Sequence, residues 1–135
     1  MADLRDNFCE SLDHTSTGVQ GTLLRLEELL RAHDAALHKH LVEDLGLVPQ
    51  MYALRWITVL FSQEFHLPDV LTLWDAILGQ KDRLDFSLHV CLAMLDMIRP
   101  VLIAAGACAG LGIECLHLGF IAGTRRVCFN YSPLF

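Results

Sequence analysis

The chain contains no cluster of basic residues. Its ten Lys and Arg are scattered among sixteen Asp and Glu, for a formal net charge of -6. Phosphate recognition needs a concentrated cationic face, so nucleic acid is excluded as a partner. Five cysteines, at 9, 91, 108, 115 and 128, include no C-x-x-C pair and leave an odd number. They read as reduced, mostly buried thiols rather than as disulfides or a metal site. No secretory leader is expected, because Asp3, Arg5 and Asp6 stand where an apolar run should begin. The expected setting is cytoplasmic. Period-2 alternation never extends beyond a few residues, which argues against sheets. No Ser or Cys sits in a nucleophile motif, and nothing marks a cofactor site.

What is abundant is apolar sequence at helical spacing. Hydrophobic residues make up 53% of the chain, enough for one domain with a substantial core. The densest stretch runs from Tyr52 to Asp75. A helix is predicted over Gln50 to Glu64, with Pro49 in its first turn, where the missing amide costs no hydrogen bond. Leu54, Ile57 and Phe61 form one stripe on it, and Trp56 and Leu60 a second, so it reads as buried. A second helix is predicted over Asp69 to Leu78, capped by Asp69 and stopped by Gly79, and it too reads as core. Arg55, Glu64 and Asp75 lie among these aromatics and need partners, since an uncompensated buried ion is costly. Arg55 is expected to pair with Asp75 or Glu64 and to fix helix orientation.

The flanking segments follow the same logic. Leu4, Phe8 and Leu12 share a face over residues 2 to 12. Thr17 and Gln20 have capping-box spacing at the start of the next helix, whose stripe is Leu23, Leu26 and Leu30, broadened by Leu24 and Leu29. Glu27 and Arg31 form an i,i+4 pair on its outer side. Asp34 caps a helix to about Leu45, bearing Leu37 and Leu41 and closed by Gly46. His33, His38 and His40 raise the question of zinc. The two acid–histidine pairs, Asp34/His38 and His40/Asp44, point about 200° apart at ~100° per residue, so they read as solvated surface groups and no metal site is expected. After the polar turn at 80–83, Asp85 is expected to cap an apolar helix from Phe86 to about Arg99. The fold class is all-α, with five or six helices.

From Pro100 the pattern changes. Residues 101–123 carry Glu114 as the one certain charge and glycines at 106, 110, 112, 119 and 123. That length can span a bilayer, yet Glu114 near its middle costs roughly 2.5 kcal/mol or more on insertion and the glycines weaken a helix. The chain therefore divides into 1–99 and a divergent, apolar, Gly-rich tail at 100–135.

The spacing R-W-x-x-x-L-x-S-x-E-F-x-L-x-x-V-L-x-L-W-D is carried by Arg55, Trp56, Leu60, Ser62, Glu64, Phe65, Leu67, Val70, Leu71, Leu73, Trp74 and Asp75. It resembles the C-terminal signature of TBC-domain Rab GTPase-activating proteins, and the flanking sequence extends the resemblance over about Met1 to Ile98. The residues taken as its structural signature are Arg55, Trp56, Glu64, Phe65, Leu67, Val70, Leu71, Trp74 and Asp75. The resemblance implies an all-helical partial domain, a Rab-type small GTPase as partner, indirect or peripheral contact with intracellular membranes and no cofactor. It also implies that Met1 falls inside the family's domain.

Such activators insert an arginine and a glutamine, from I-x-x-D-x-x-R and Y-x-Q motifs, into the GTPase site. This chain has neither. Asp96-Met97-Ile98-Arg99 reproduces D-x-x-R, but Ala93 replaces the Ile and the stretch follows the signature it should precede. Tyr52 and Tyr131 do not open Y-x-Q. No catalytic residue is therefore assigned, and the chain is expected to carry the family's fold without its chemistry. Exposed apolar surface is expected to drive self-association. Two other readings stand beside this one: a non-catalytic helical module that binds a GTPase or another protein, and a tail that anchors the chain to a membrane.

Overall fold

A computed structural model describes residues 18–105. Five α-helices follow one another: α1 (Val19–His33), α2 (Ala35–Lys39), α3 (Pro49–Thr58), α4 (Leu67–Gly79) and α5 (Arg83–Ala105). A π-helical turn, His40–Asp44, extends α2, and no strand occurs among the described residues. The all-α expectation holds. The segment expected as a first helix at 2–12, and the tail from 106, lie outside the described residues.

α1 packs against α2, α3 and α5, while α5 also receives α3 and α4. The predicted stripes Leu23, Leu26 and Leu30 of α1 and Leu37 and Leu41 beyond it are all buried, as are Leu88, Cys91, Leu95, Ile98 and Leu102 of α5. Sequence periodicity identifies the inner faces well. It overstates how far burial extends around each helix. Leu24, Leu54, Leu67, Leu71 and Leu78 are exposed, so α3 and α4 each bury one side rather than their whole circumference.

Several boundaries differ from expectation. α1 is capped by Gly18 without a side-chain bond, and Thr17 lies outside the described residues. Thr22, four residues on, returns its buried hydroxyl to the Gly18 carbonyl at 3.0 Å. α4 begins after His66, with Pro68 and Asp69 both inside its first turn. There proline forfeits no bond and the carboxylate faces the positive end of the helix dipole, so Asp69 acts on the dipole rather than as the cap. α5 starts two residues before Asp85 and continues through Pro100. Leu102 beyond the proline is fully buried, and its burial offsets the backbone bond that Pro100 cannot donate. The boundary drawn at 99/100 thus falls inside one helix.

Local signals were accurate at the α2 turn. Asp34 accepts from the Leu37 amide at 2.9 Å as an N-cap, and Gly46 at φ +63° reverses the chain after the π turn. Leu45 and Leu47 donate back to the carbonyls of His40 and Leu41, at 3.0 and 2.8 Å.

Candidate functional site

The site favoured by the sequence is the connection from α3 to α4, where the helix predicted to reach Glu64 in fact ends at Thr58. Its end is tied by two backbone bonds, Phe61 N–H to Trp56 O at 2.9 Å and Leu60 N–H to Ile57 O at 3.3 Å. This is the Schellman pattern, which calls for a left-handed residue at the position of Leu60. Glycine usually fills it. Here Leu60 has φ +47° and Phe61 φ +63°, at a cost of roughly 1–2 kcal/mol each.

Three interactions hold the chain in that shape. Phe61 is completely buried, worth about 1.5–3 kcal/mol. Trp74 of α4 donates its indole N–H to the Leu60 carbonyl at 2.8 Å. Arg55 of α3 forms an ion pair with Glu64, whose side chain is only 5% exposed while the arginine is 39% exposed. Glu64 is thus the partner realised, of the two expected for Arg55. Trp56 is buried behind the turn, with its ring 5.6 Å from that of Tyr52.

The nine signature residues accordingly separate into two groups. Arg55, Trp56, Glu64, Phe65, Val70 and Trp74 are buried or half-buried. Leu67, Leu71 and Asp75 face solvent from α4. At ~100° per residue, Leu67, Leu71 and Leu78 lie within about 40° of one another, forming an exposed apolar stripe. Asp75 borders that stripe.

Of the histidines expected on a solvated surface, His33 is exposed but His38 and His40 are not. His38 and His40 are each 18% exposed, and His38 meets Glu27 at 3.3 Å, in place of the predicted Glu27–Arg31 pair. His40 bridges Asp44 at 2.6 Å and the Leu102 carbonyl at 3.1 Å. His33 meets Asp96 at 2.8 Å. Asp34, predicted to face His38, instead receives Arg99 at 2.7 Å. The Leu37 amide, and after it the Arg99 guanidinium, hold the Asp34 carboxyl below its ordinary value of 3.8. These contacts, with Arg25–Asp85 at 2.7 Å, fasten α1 and the α2 region to α5. Among the described residues, no three His, Cys, Asp or Glu side chains gather to hold a metal ion.

Cys91 is fully buried, and burial pushes its thiol pKa up, away from the reactive thiolate. The Tyr52 phenol is raised too, chiefly by burial. The D-x-x-R of α5 has both ends engaged, Asp96 by His33 and Arg99 by Asp34. No sequence signal announced the left-handed turn or these long-range pairs. These pairs give mutual support between helices.

The model of the Rab-GTPase-TBC domain family matches residues 1–103. TBC1 domain family member 13 of Homo sapiens is 43% identical over 103 residues, which are 76% of this chain and 26% of that protein; the Mus musculus protein gives the same figures. TBC1 domain family member 5 of Homo sapiens is 39% identical over 101 residues, 75% of this chain and 12% of that protein. The chain thus spans about a quarter or less of the length of these relatives. No solved structure matches it. Because the family model spans residues 1–103, most of its length, the chain belongs to the Rab-GTPase-TBC domain family.

Proposed function

We propose that this chain is a portion of an activator of Rab-type small GTPases and that, by itself, it does not accelerate GTP hydrolysis. The observation that carries the first half is the family match over residues 1–103. The second half is supported by the sequence, which contains neither I-x-x-D-x-x-R nor Y-x-Q. Arginine-finger chemistry is worth about 10³–10⁵ in rate, so a chain without it stays inert as an activator. The reading sets the chain in the cytoplasm, in membrane traffic, meeting membranes only through the GTPase.

The test is single-turnover hydrolysis by a panel of Rab GTPases with and without the chain. Unchanged rates are expected, and acceleration of about tenfold or more on any of them would overturn the inert reading.

A second reading, a binding module without catalysis, is favoured by the exposed stripe Leu67, Leu71 and Leu78 beside Asp75. Its mark is saturable, nucleotide-dependent binding to a GTPase with hydrolysis unaltered. Binding that ignores the bound nucleotide, or that survives Leu71→Glu, argues against it.

A further inference from the structure

His40 stands between two acceptors. Its Nδ1 lies 2.6 Å from the Asp44 carboxylate, in the same π-helical turn, and its Nε2 lies 3.1 Å from the carbonyl of Leu102 in α5. Neither partner donates: a backbone carbonyl only accepts, and the Asp44 side chain, 62% exposed to water, is a charged carboxylate. A neutral imidazole has one N–H and one bare lone pair, so it satisfies one of these contacts and sets its lone pair against the other oxygen. The imidazolium donates from both nitrogens and satisfies both. His33 and His38 differ in this respect. Each meets a single carboxylate oxygen, Asp96 and Glu27 respectively, and a neutral ring can make one such bond.

We propose that His40 is a pH-sensitive latch, closed as the imidazolium, that fastens the last turn of α5 to the turn following α2. Leu102 lies two residues beyond Pro100, which has no amide proton for the turn before it, so this end of α5 is held by fewer helical bonds than the rest. Burial of the Leu102 side chain and the ring of His40 hold it instead. The carbonyl end of a helix also favours a cation. When the ring loses a proton, the bond to the charged carboxylate is the stronger of the two, so the neutral carbonyl of Leu102 is the partner released.

The charges around His40 leave that step to its own ring. On its own segment, Lys39 is 3.7 Å from Glu43, and both are exposed. On α5, Arg99 is bound to Asp34 at 2.7 Å, and Asp96 is engaged by His33. On α1, Glu27 meets His38, while Arg31 is exposed, where water and salt screen it. Because the folded arrangement prefers the protonated ring, the latch contributes on the acid side of the histidine range and is lost as pH rises through it. That direction is opposite to the contribution of a paired carboxylate such as Asp34.

Two measurements on the full chain test this. The first is the nitrogen-15 spectrum of the histidine rings. At about pH 6.5, both nitrogens of His40 should carry protons to a greater extent than those of His66, which is exposed and makes no such contact. The second is backbone hydrogen exchange, corrected for intrinsic rates, at about pH 6 and about pH 8.5. Protection of residues 101–105 should fall at least about tenfold at the higher pH, while that of residues 23–30 in α1 changes little. His40→Gln still offers a donor to Leu102 but does not titrate, so it should remove the pH dependence; His66→Gln should leave it as it was. The proposal is overturned by protection at 101–105 that is indifferent to pH, by a pH dependence that survives His40→Gln, or by one that His33→Gln removes instead. Should His40→Gln fail to fold, the ring spectrum of the parent chain decides: a His40 ring no more protonated than that of His66 overturns the latch.

Discussion

The indole N–H of Trp74 closes on the carbonyl of Leu60 at 2.8 Å, so a residue of α4 completes the end of α3. Leu60 is left-handed without being glycine. Its conformation persists because the surroundings determine it, through the buried Phe61, the Arg55–Glu64 pair and the Trp74 donor. Two helices distant in role are thereby locked at one corner.

Replacing Trp74 by Phe keeps the ring and removes the donor. The expected loss is about 1 kcal/mol, with more if the Leu60 carbonyl is left without water. Urea unfolding should show a lower midpoint with an unchanged slope. A stability equal to the parent would show that the turn does not need the indole.

Removing Arg55 while keeping Glu64 strands a carboxylate whose side chain is 5% exposed. Arg55→Met should destabilise by about 2–3 kcal/mol, below the figure for a fully buried pair because the arginine is itself partly in water. Arg55→Met with Glu64→Leu should recover much of that loss. A double-mutant cycle with no coupling would refute the pairing as a source of stability.

Asp34 joins a helix cap to a long-range ion pair. Asp34→Ala should cost about 1–2 kcal/mol through the cap, and Asp34→Asn less, because the amide still accepts from the Leu37 N–H. The pH dependence has a definite sign. The folded-state pKa lies below the ordinary 3.8, so the folded state prefers the ionised form. The contribution is fully present above the ordinary carboxylate range and is lost as pH falls through the lower folded value. Melting temperatures measured from neutral to acidic pH should therefore converge for parent and Asp34→Asn at the acid end. Curves that stay parallel throughout would contradict it.

Burial and a raised thiol pKa make Cys91 unreactive in the native state. Alkylation at mildly basic pH followed by peptide mapping should leave the Cys91 peptide unmodified until denaturant is added. Rapid native-state labelling at that position would mean that α5 does not stay packed.

Much of this architecture was legible in the sequence where the signal was local. The inner stripe of α1, the Asp34 cap and the Gly46 reversal each follow from a few neighbouring residues. The end of α3 was not legible, because a left-handed turn without glycine depends on what surrounds it, and Trp74 lies fourteen residues on. Pro100 looked like a stop and is not one, since tertiary burial of Leu102 outweighs a single missing amide. The pairs Asp34–Arg99 and His33–Asp96 join residues 65 and 63 positions apart, beyond the reach of any spacing rule. Periodicity also shows that α4 is apolar on one wide arc without saying which part of that arc another helix covers.

The seating of α1 on α5 bears on the order in which the molecule can form. The first described helix meets α2 and α3 soon after it, but part of its packing and the ion pairs of Arg25 and His33 lie on the last helix, so its cover is complete only when α5 is also in place. During synthesis the side of α1 that α5 covers stays exposed while some seventy further residues are added, a long closure of the kind that slows folding and exposes sticky surface. A chaperone that grips short leucine-rich segments would find its natural opportunity in that interval, and destabilising α5 would be felt first as aggregation of newly made chains rather than as a lower melting temperature.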